Sequence, residues 1–439
     1  MVEKQKVNVF WFRRDLRLND NAGLYHALKS GLPVIPFFLL DREILDKLED
    51  KDDSRVTFIY QALEDLNIEL NKLGSYLIVK NNNPVGAWEE LLNEYAISAV
   101  YLNQDYEPYA RERDKNIEIE LKKQGIDFYS YKDHVIFEKN EITKEDGKPY
   151  TVFTPYKNKW LEKLKYFYFK AYPTEKYFSN FSQTFLSVLP SLLEIGFIKS
   201  SLPFPDKEYK YVIEEYKIWR DFPSLNGTSK ISVHLRFGTL SIRELVSEAT
   251  LAADKTWLNE LIWRDFYAMI IWHFPHTVTQ SFKPLYDQIK WRNNEQEFEA
   301  WCEGKTGYPI VDAGMRELNT TGFMHNRVRM ITASFLVKHL LIDWRWGEAY
   351  FARKLIDYDQ ASNVGGWQWA TGSGNDASPY FRVFSPDLQM KKFDPKLEYI
   401  KKWIPEFNDP FQYPQPIVEH KFARERAIST YKKSLNFTS

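Results

Sequence analysis

The first third of the chain alternates short apolar runs with amphipathic stretches. The apolar runs are VNVFWF, PVIPFFLL, SYLIVK and AVYL, and helix-like segments separate them, one running to Lys29 and another starting at Ser54. This alternation is typical of a parallel sheet covered by helices. No G-x-G-x-x-G motif follows the first run, so the usual dinucleotide fingerprint is absent. We predict a Rossmann-like parallel α/β domain over residues 1–132, in which any cofactor binds in another way.

The pattern changes twice further along the chain. Between residues 133 and 205, polar and turn-forming segments such as EKNEITKEDGKPYT, FSNFSQTF and SLPFP prevail, and we interpret this part as a long connector. From about Tyr209 onward, helical patterns such as WLNELIWRDFYAMIIWHF and NRVRMITASFLVKHLLIDW take over. We predict an all-helical domain over residues 206–439, and the chain shows neither internal repeats nor low-complexity tracts.

Composition adds one hint about function. Hydrophobic residues make up 44% and charged residues 27%, as in ordinary globular proteins. The 14 tryptophans are many for this length, and indole rings stack on planar rings and bases as well as packing in cores. A net charge of -1 gives no overall attraction to nucleic acid. A DNA partner would therefore require basic residues gathered on one face.

The single cysteine and the absence of apolar segments bear on the compartment. Cys302 alone forms neither an intramolecular disulfide nor a cysteine-based metal site, which favours a reducing compartment and no metal. The N-terminal residues lack the apolar centre of a signal peptide, and no stretch approaches about 18 uncharged apolar residues. We therefore expect a cytoplasmic protein that does not associate with membranes.

Three segments of the helical part concentrate polar and aromatic residues, at 257–266, 323–335 and 357–384. The last of them, DYDQASNVGGWQW at its start, places two carboxylates, an amide, a glycine pair and two indoles within one short stretch. Such a set suits a site for a large polar ring system. The alternative is a loop between helices with two buried tryptophans.

Long motifs in these segments carry a family resemblance. WFRRDLRLNDNAGL, GTSKISVHLRFG, WLNELIWRDFY, GKTGYPIVDAGMRELNTTGFMHNRVRMITASFLVK and GGWQWATGSGNDASPYFRVFSP resemble the photolyase and cryptochrome family, most closely microbial class I cyclobutane-dimer photolyases. The resemblance covers nearly the whole chain. It implies an α/β antenna domain, a helical FAD-binding domain, and light-dependent repair of cyclobutane pyrimidine dimers in ultraviolet-damaged DNA by electron transfer from photoexcited reduced FAD. We expect a monomer.

The resemblance assigns a set of residues to FAD. Asn363 would face flavin N5, where an amide oxygen accepts a hydrogen bond from the protonated nitrogen, although Val364 stands where relatives often carry a second Asn. The Thr228–Ser232 segment would hold the pyrophosphate. Without the resemblance, Asn363 would be a turn residue and the Thr228–Ser232 segment a helix N-cap. Arg329 and Asp357, which the resemblance makes a pair at the flavin, would be a structural salt bridge. The full set is Tyr216, Thr228, Ser229, Lys230, Ile231, Ser232, Asn326, Arg329, Asp357, Asp359 and Asn363.

Trp367, Trp344 and Trp291 match the three tryptophans that relay an electron from the protein surface to photoexcited FAD in this family. The relay brings FAD to its active reduced form and is separate from the repair step. For each tryptophan alone, core packing is the alternative.

The catalytic and lesion-binding residues follow from the same resemblance. Trp263 and Trp369 would wall the dimer pocket, and base stacking on each is worth about 1–3 kcal/mol. Glu260 would bind the edge of the 5′ thymine, with a pKa raised by desolvation, next to Asn326 and Met330. Together with Asn363 these residues form the predicted catalytic set. Basic residues expected on the DNA, unless they form only a solvated face, are Arg264, Arg327, Arg382, Lys391 and Lys392.

Two positions argue for the subclass. Enzymes for (6-4) photoproducts carry a histidine-rich run that matches the stretch from His325 to Met330, and here Asn326 and Met330 replace the second and third histidines. The proton transfer of that chemistry then has no imidazole donor. Trp369 argues against the DASH cryptochromes, which tend to have Tyr there. Cyclobutane dimers are therefore the expected substrate.

The sequence leaves the identity of the antenna chromophore open. Tyr109 and Ala110 stand where folate-binding relatives carry Asn and Glu, which puts folate in doubt. A deazaflavin, a second flavin or an empty site are the other possibilities.

Two alternative functions compete with repair. A cryptochrome-like blue-light photoreceptor would keep the flavin and the tryptophans without repair. Cryptochromes often carry a C-terminal extension for partners, whereas here a short polar tail follows YPQPIVEHKFARERA, so we expect repair rather than signalling. An electron-transfer flavoprotein without DNA does not explain the joint presence of Glu260, Trp263, Asn326, Met330 and Trp369.

Overall fold

The computed structural model describes residues 5–183 and 188–435, so the parts of the predicted domains and connector at 1–4, 184–187 and 436–439 lie outside it. The described chain forms two compact units. Unit 1 comprises residues up to 141, 162–207 and 231–251, and unit 2 comprises residues 142–161, 208–230 and 252 onward. The boundaries predicted at residues 132 and 205 remain predictions.

Unit 1 is built on a parallel sheet of five strands. The strands are β1 (Lys6–Phe12), β2 (Val34–Asp41), β3 (Ile78–Asn82), β4 (Ala96–Asn103) and β5 (Asp127–Tyr131), in the order β3-β2-β1-β4-β5. The first four coincide with the four apolar runs, which confirms the predicted α/β fold. The edge strand β5 was not predicted, because it is half-exposed and lacks an apolar run.

The sheet of unit 1 is covered on both faces. Successive residues of β1 alternate between two apolar clusters, with Phe10 and Phe12 in one and Val9 and Trp11 in the other. Burial on both faces explains why the strands are continuous apolar runs. The helices of unit 1 are α1 (Ala22–Lys29), α2 (Arg42–Leu45), α3 (Ser54–Lys72), α4 (Pro84–Glu94), α5 (Pro108–Lys123), α7 (Tyr166–Phe169), α10 (Ser232–Phe237), α11 (Ile242–Leu251) and a 3₁₀ turn at Thr174–Asn180.

The helices and turns of unit 2 include no strand among its described residues, apart from one isolated bridge between Thr143 and Pro149. This confirms the predicted helical part. The helices are α6 (Phe153–Lys163, which ends in unit 1), α8 (Lys210–Ile213), α9 (Tyr216–Trp219), α12 (Thr256–His273), α13 (Glu295–Glu303), α14 (Pro309–Thr321), α15 (Asn326–Ser334), α16 (Trp344–Lys354), α17 (Gln360–Thr371), α18 (Pro386–Phe393), α19 (Glu398–Trp403) and α20 (His420–Ser434), with 3₁₀ turns at Pro275–Val278 and Pro284–Gln288 and a π-helix at Phe335–Leu340.

The main core of unit 2 lies among α13 to α17 and is rich in aromatic residues. Trp301, Trp344 and Trp367 are almost fully buried in one cluster. Among the described residues, no helix is long and apolar enough to span a membrane, and no group of three or more His, Cys, Asp or Glu side chains is arranged to hold a metal ion.

Candidate cofactor and lesion site

Three helices of unit 2 carry the segments that the sequence singled out. α12 and α15 both pack against α17, so the 257–266, 323–335 and 357–384 segments meet in one region of unit 2. The sequence gives each helix its start: the Asp359 side chain caps α17 through the N–H of Ser362, and His325 caps α15 through the N–H of Arg327. Local capping by these two side chains thus fixes where α15 and α17, which carry predicted site residues, begin.

Arg329 and Asp357, both expected to bind FAD, form an ion pair with each other. Arg329 donates from Nη2 to both carboxylate oxygens of Asp357 at 2.9 and 3.1 Å, and its Nε donates to the carbonyl of Met324 at 2.7 Å. Asp357 is buried, whereas a quarter of the Arg329 side chain stays exposed. Part of the Arg329 side chain therefore remains exposed.

The orientation of the Asn363 amide is set by a neighbouring carboxyl group. Asn363 donates from Nδ2 to Oε1 of Glu348 at 3.0 Å and to its carbonyl oxygen at 3.2 Å. Burial raises the pKa of Glu348, although its hydrogen bonds with Asn363 and Tyr358 oppose this. Because the amide nitrogen is engaged, Oδ1 of Asn363 is the atom left to accept a hydrogen bond, and no described residue donates to it.

The Thr228–Lys230 segment precedes α10 as an irregular loop of unit 2, while Ile231 and Ser232 belong to unit 1. The N-cap of α10 is Ile231, without a side-chain cap, so Thr228 and Ser229 do not cap this helix. Within the described part of the chain neither hydroxyl has a hydrogen-bond partner. Lys230 has a positive φ of 53°, a backbone conformation that is uncommon outside glycine.

Tyr216 and Asp359, both expected to bind FAD, are engaged in different ways. Tyr216 lies on α9, and burial together with the nearby Glu260 raises the pKa of its phenol. Asp359 accepts hydrogen bonds from the backbone N–H and the hydroxyl of Ser362 at 3.0 and 2.9 Å. Its capping role therefore uses one oxygen of the carboxylate.

These residues fit a flavin nucleotide by the chemistry of their donors and acceptors. The free amide oxygen of Asn363 suits a protonated flavin nitrogen, the Thr228 and Ser229 hydroxyls and Lys230 suit phosphate oxygens, and Arg329 suits an anionic or carbonyl oxygen.

Glu260 of the predicted lesion pocket is paired with a residue that the sequence did not single out. Arg220 donates from Nη1 to Oε1 of Glu260. Burial raises the pKa of the Glu260 carboxyl and the positive charge of Arg220 opposes this increase. The predicted upward shift of this pKa is therefore present, with a cation beside it.

The two indoles expected to wall the lesion pocket are both half-buried. Trp263 stacks on Phe153, with ring centroids 3.6 Å apart and planes 6° from parallel. Trp369 lies near Phe384 at 6.3 Å. The stack on Phe153 holds the Trp263 ring in a fixed plane, which favours its use as a flat wall.

The residues expected on DNA fall into a paired and an exposed group. Arg327 donates to Asp221 at 2.6 Å, and its guanidinium lies 3.8 Å from the sulfur of Met330. Arg264 is half-buried. The side chains that are exposed to solvent are Asn326, Arg382, Lys391 and Lys392.

Two of the three tryptophans expected to relay an electron lie in one core cluster, and the third packs against it. Trp344 and Trp367 are 1% and 2% exposed, and the partly exposed Trp291 packs against the same cluster. The indole N–H groups of Trp344 and Trp367 have no partner among the described residues. Two buried indoles and one partly exposed indole are compatible with an electron path between the protein surface and the interior.

In unit 1, Tyr109 lies at the start of α5 and donates from its hydroxyl to Asp41 at 2.7 Å. Burial and this carboxylate raise the pKa of the phenol. Ala110 is buried. Tyr109, at the position where folate-binding relatives carry Asn, thus makes a hydrogen bond within the protein.

Sequence reasoning missed Arg220, Asp221, Glu348 and Phe153. The sequence pattern around Arg220 and Asp221 gave little indication of a site, since KIWRDF is typical of the exposed end of an ordinary helix. Glu348 lies in a regular amphipathic helix, and Phe153 lies in the segment that was interpreted as a connector. Only the fold brings these side chains to the site.

Comparison with known proteins agrees with this geometry. The family model for DNA photolyase matches residues 8–176, and the model for the FAD binding domain of DNA photolyase matches residues 257–433. The chain is 36% identical to the deoxyribodipyrimidine photo-lyase of Alkalihalophilus pseudofirmus over 98% of this chain and 99% of that protein, and 36% identical to that of Escherichia coli over 97% and 98%. The chain therefore belongs to the photolyase and cryptochrome family of enzymes.

Solved structures of the family share the whole architecture. A class III photolyase from Agrobacterium tumefaciens has a TM-score of 0.86 at 32% identity and covers 99% of both chains. An archaeal photolyase from Sulfolobus tokodaii with two FAD molecules has a TM-score of 0.81 at 35% identity and covers 98% of this chain and 100% of that one. A Synechocystis cryptochrome has a TM-score of 0.84 at 25% identity, covering 98% and 100%.

Proposed function

We propose that this protein repairs cyclobutane pyrimidine dimers in DNA in a light-dependent reaction, as a class I photolyase. The observation that carries the proposal is the joint placement of two residue sets in unit 2. Glu260 and Trp263 lie on α12, Asn363 and Trp369 lie on α17, and these two helices pack against each other. This packing supports a lesion pocket next to the flavin site.

FAD, when bound, would supply the photoexcited electron that splits the dimer and would recover it afterwards. The chain's own residues would hold this group. Arg329 and Asp357, which pair with each other, would form the charged part of its cradle, Asn363 would accept a hydrogen bond from flavin N5, and the hydroxyls of Thr228 and Ser229 would bind the phosphates. Glu348 binds the amide nitrogen of Asn363 and would so keep Oδ1 directed toward the flavin.

The lesion would be held by stacking and by a carboxylate. A dimer has to leave the duplex to enter a pocket, and the cost of unstacking is a few kcal/mol, less for a damaged step. Trp263 and Trp369 offset this cost by stacking, and Glu260 hydrogen-bonds the pyrimidine edge. Arg264, Arg327, Arg382, Lys391 and Lys392 would contact the phosphates around it.

The substrate class and subclass rest on the pocket. Asn326 and Met330 offer no imidazole acid for (6-4) photoproducts, and Met330 instead lies beside Arg327. We propose a monomeric cytoplasmic enzyme, without a metal in the reaction. In unit 1, the engaged hydroxyl of Tyr109 argues against folate, and the two FAD molecules of the Sulfolobus photolyase make a second flavin one candidate antenna beside a deazaflavin.

The test of substrate class is binding in the dark, where no repair occurs. Fluorescent oligonucleotides would carry a thymine cyclobutane dimer, a (6-4) photoproduct or no lesion. We expect the holoenzyme to prefer the dimer by a large factor over both others. Equal binding of all three with a photoreducible flavin would point to the photoreceptor that the cryptochrome likeness suggests, and preference for the (6-4) lesion would overturn the assigned subclass.

A further inference from the structure

One face of the Trp263 indole is covered by a ring from the segment that the sequence pattern presented as a connector. Phe153, the first residue of α6, is buried and stacks on the indole with ring centroids 3.6 Å apart. Trp263 as a whole remains half-buried. A stacked partner occupies only one face of a ring, so Phe153 can support the indole without filling a pocket on its other side.

The helix that carries Phe153 is anchored along α12 by further side chains. The ring of Tyr156 packs on Phe266 with centroids 5.0 Å apart, and Nε1 of Trp160 donates to Oδ2 of Asp265 at 3.0 Å. The aromatic residues of α6 follow one another at spacings of three and four residues, so they share one face of the helix. Phe153 is therefore held against α12 by the whole of α6 and not by a single contact.

The start of α6 is also tied to the loop that follows α17. The backbone N–H of Phe153 donates to Oδ2 of Asp376 at 2.9 Å, and Nδ2 of Asn375 donates to the carbonyl of Thr151 at 3.1 Å. A carboxylate in this place satisfies one of the free N–H groups at the start of a helix and interacts favourably with the helix dipole. Two hydrogen bonds thus fix the segment before α6 to this loop.

The same loop folds back onto the helix turn that carries Trp369. The carbonyl of Trp369 accepts hydrogen bonds from the N–H of Gly372 at 3.3 Å and from that of Ser378 at 3.2 Å. One short stretch of the chain therefore touches the indole on α12 and, through the loop, the backbone of the indole residue on α17. These are the two residues expected to wall the lesion pocket.

We propose that Phe153 is a positioning residue for lesion binding, which supports Trp263 and, through Asp376, keeps this indole in register with Trp369 before the dimer enters. A wall that is already fixed does not have to be ordered when the lesion binds, and avoiding this ordering increases affinity. The connector segment then belongs to the lesion pocket, although it would not touch the DNA. The proposal rests on the lesion binding proposed above.

The experiment compares Phe153→Leu, which keeps an apolar side chain but removes the ring, with Tyr156→Leu. Tyr156 is the matched control, because its ring lies on the same helix and packs on Phe266 instead of Trp263. Asp376→Ala removes the tie to the loop and leaves both rings in place. Dark binding of the FAD-loaded variants to a thymine-dimer oligonucleotide and to its undamaged counterpart is measured by fluorescence anisotropy, and urea unfolding is recorded alongside.

For Phe153→Leu we expect the affinity for the dimer to fall about 3–10-fold, the range of a stacked aromatic pair, while undamaged DNA and FAD bind as before. Asp376→Ala should lower the affinity for the dimer by a smaller factor. Tyr156→Leu should lower stability as Phe153→Leu does and leave the preference for the dimer unchanged. In a Trp263→Ala background, Phe153→Leu should cause no further loss, because the indole through which it acts is gone.

Three results would overturn the proposal. An unchanged preference for the dimer in Phe153→Leu would show that Trp263 does not depend on this ring. An equal loss in Tyr156→Leu, or a loss that persists in the Trp263→Ala background, would mean that Phe153 acts through general stability. An unchanged preference in Asp376→Ala would remove the link to Trp369.

The test also works if the first variant does not fold. Should Phe153→Leu lose FAD, Phe153→Met repeats the comparison, since the flexible methionine side chain fills an apolar space with less disturbance. If the wild type itself does not prefer the dimer, the proposed function fails, and this outcome is read from the wild type alone.

Discussion

The proposed cofactor site can be tested at single residues, first at the pair formed by Arg329 and Asp357. Asp357→Asn removes the negative charge but keeps the shape, leaving the guanidinium of Arg329 with one neutral acceptor. We expect the dissociation constant for FAD to rise by at least about 10-fold, which corresponds to about 1.4 kcal/mol. The measurement is titration of apoprotein with FAD, followed by flavin fluorescence.

The matched control for this change is Asp254→Asn. Asp254 pairs with Lys217 on an exposed surface, where ion pairs contribute little. FAD affinity should be unaffected there. If Asp357→Asn also leaves it unaffected, Asp357 has no part in the cofactor cradle.

Glu260 tests the lesion pocket at the same scale. Glu260→Ala removes a hydrogen bond to a charged group, worth about 1.5–3 kcal/mol, so dimer affinity should fall about 10–100-fold while FAD stays bound. Fluorescence anisotropy with a thymine-dimer oligonucleotide measures the affinity. Glu303→Ala, at an exposed carboxylate paired with Lys305, is the control. Unchanged dimer affinity and repair in Glu260→Ala would remove Glu260 from the mechanism.

Among the secondary-structure elements, α17 depends on a close approach between helices. A Cβ on Gly365 would lie 2.2 Å from the ring of Tyr267 on α12, whereas a Cβ on Gly366 meets nothing within 4 Å. Gly365→Ala should destabilise the protein by about 1–3 kcal/mol through overpacking. Gly366→Ala should stabilise it by about 0.5–1 kcal/mol, since alanine is the better helix former.

Urea unfolding monitored by circular dichroism distinguishes the two glycine variants. Because Gly365 is two residues from Asn363, Gly365→Ala should also lower FAD affinity, and Gly366→Ala should not. Equal stability of both variants would mean that α12 and α17 do not pack as closely as described.

The proposed relay would span several elements, since Trp291 precedes α13, Trp344 starts α16 and Trp367 lies on α17. Trp291→Phe should slow photoreduction of bound FAD by an order of magnitude or more, because phenylalanine is much harder to oxidise. Repair by enzyme reduced chemically beforehand should be retained. Absorbance during illumination measures the first, and oligonucleotide repair measures the second.

Trp346→Phe is the control, as Trp346 is another partly buried indole of the same helical unit. It should photoreduce as the wild type does. Loss of repair along with photoreduction in Trp291→Phe would contradict the separation of relay from repair.

The elements were predictable where one physical signal dominates. Buried parallel strands such as β1 and β2 give continuous apolar runs, and α12 and α15 give long helical patterns. The edge strand β5 has no continuous apolar run, because side chains such as that of Tyr129 are exposed to solvent and do not pack in a core. The helices within 133–205 were hidden by the polar and turn-forming residues around them.

The site was predictable only in part, for a different reason. Residues inside long motifs, such as Asn363 and Trp263, could be assigned by resemblance. Arg220 and Glu348 could not, because their roles come from contacts with residues 40 and 15 positions away that only the folded chain makes. Side chains that orient other side chains leave little trace in local sequence pattern.

At the scale of the whole molecule, each unit has its own core, and the chain passes between the units several times. Unit 2 alone holds the residues proposed to bind flavin, other than Ile231 and Ser232, together with all of those proposed to bind the lesion and to relay the electron. We therefore propose that the reaction takes place in unit 2 and that unit 1 is the place of any antenna. Extraction of the bound chromophores from purified protein would identify any antenna beside FAD.

The central claim is light-dependent repair of cyclobutane dimers, and the direct measurement is restoration of a thymine-dimer oligonucleotide by purified, reduced protein under blue light. A (6-4) oligonucleotide and a dark reaction accompany it. We predict repair of the dimer alone, and only in light. No repair by protein that holds photoreducible FAD would contradict the account and favour the photoreceptor function.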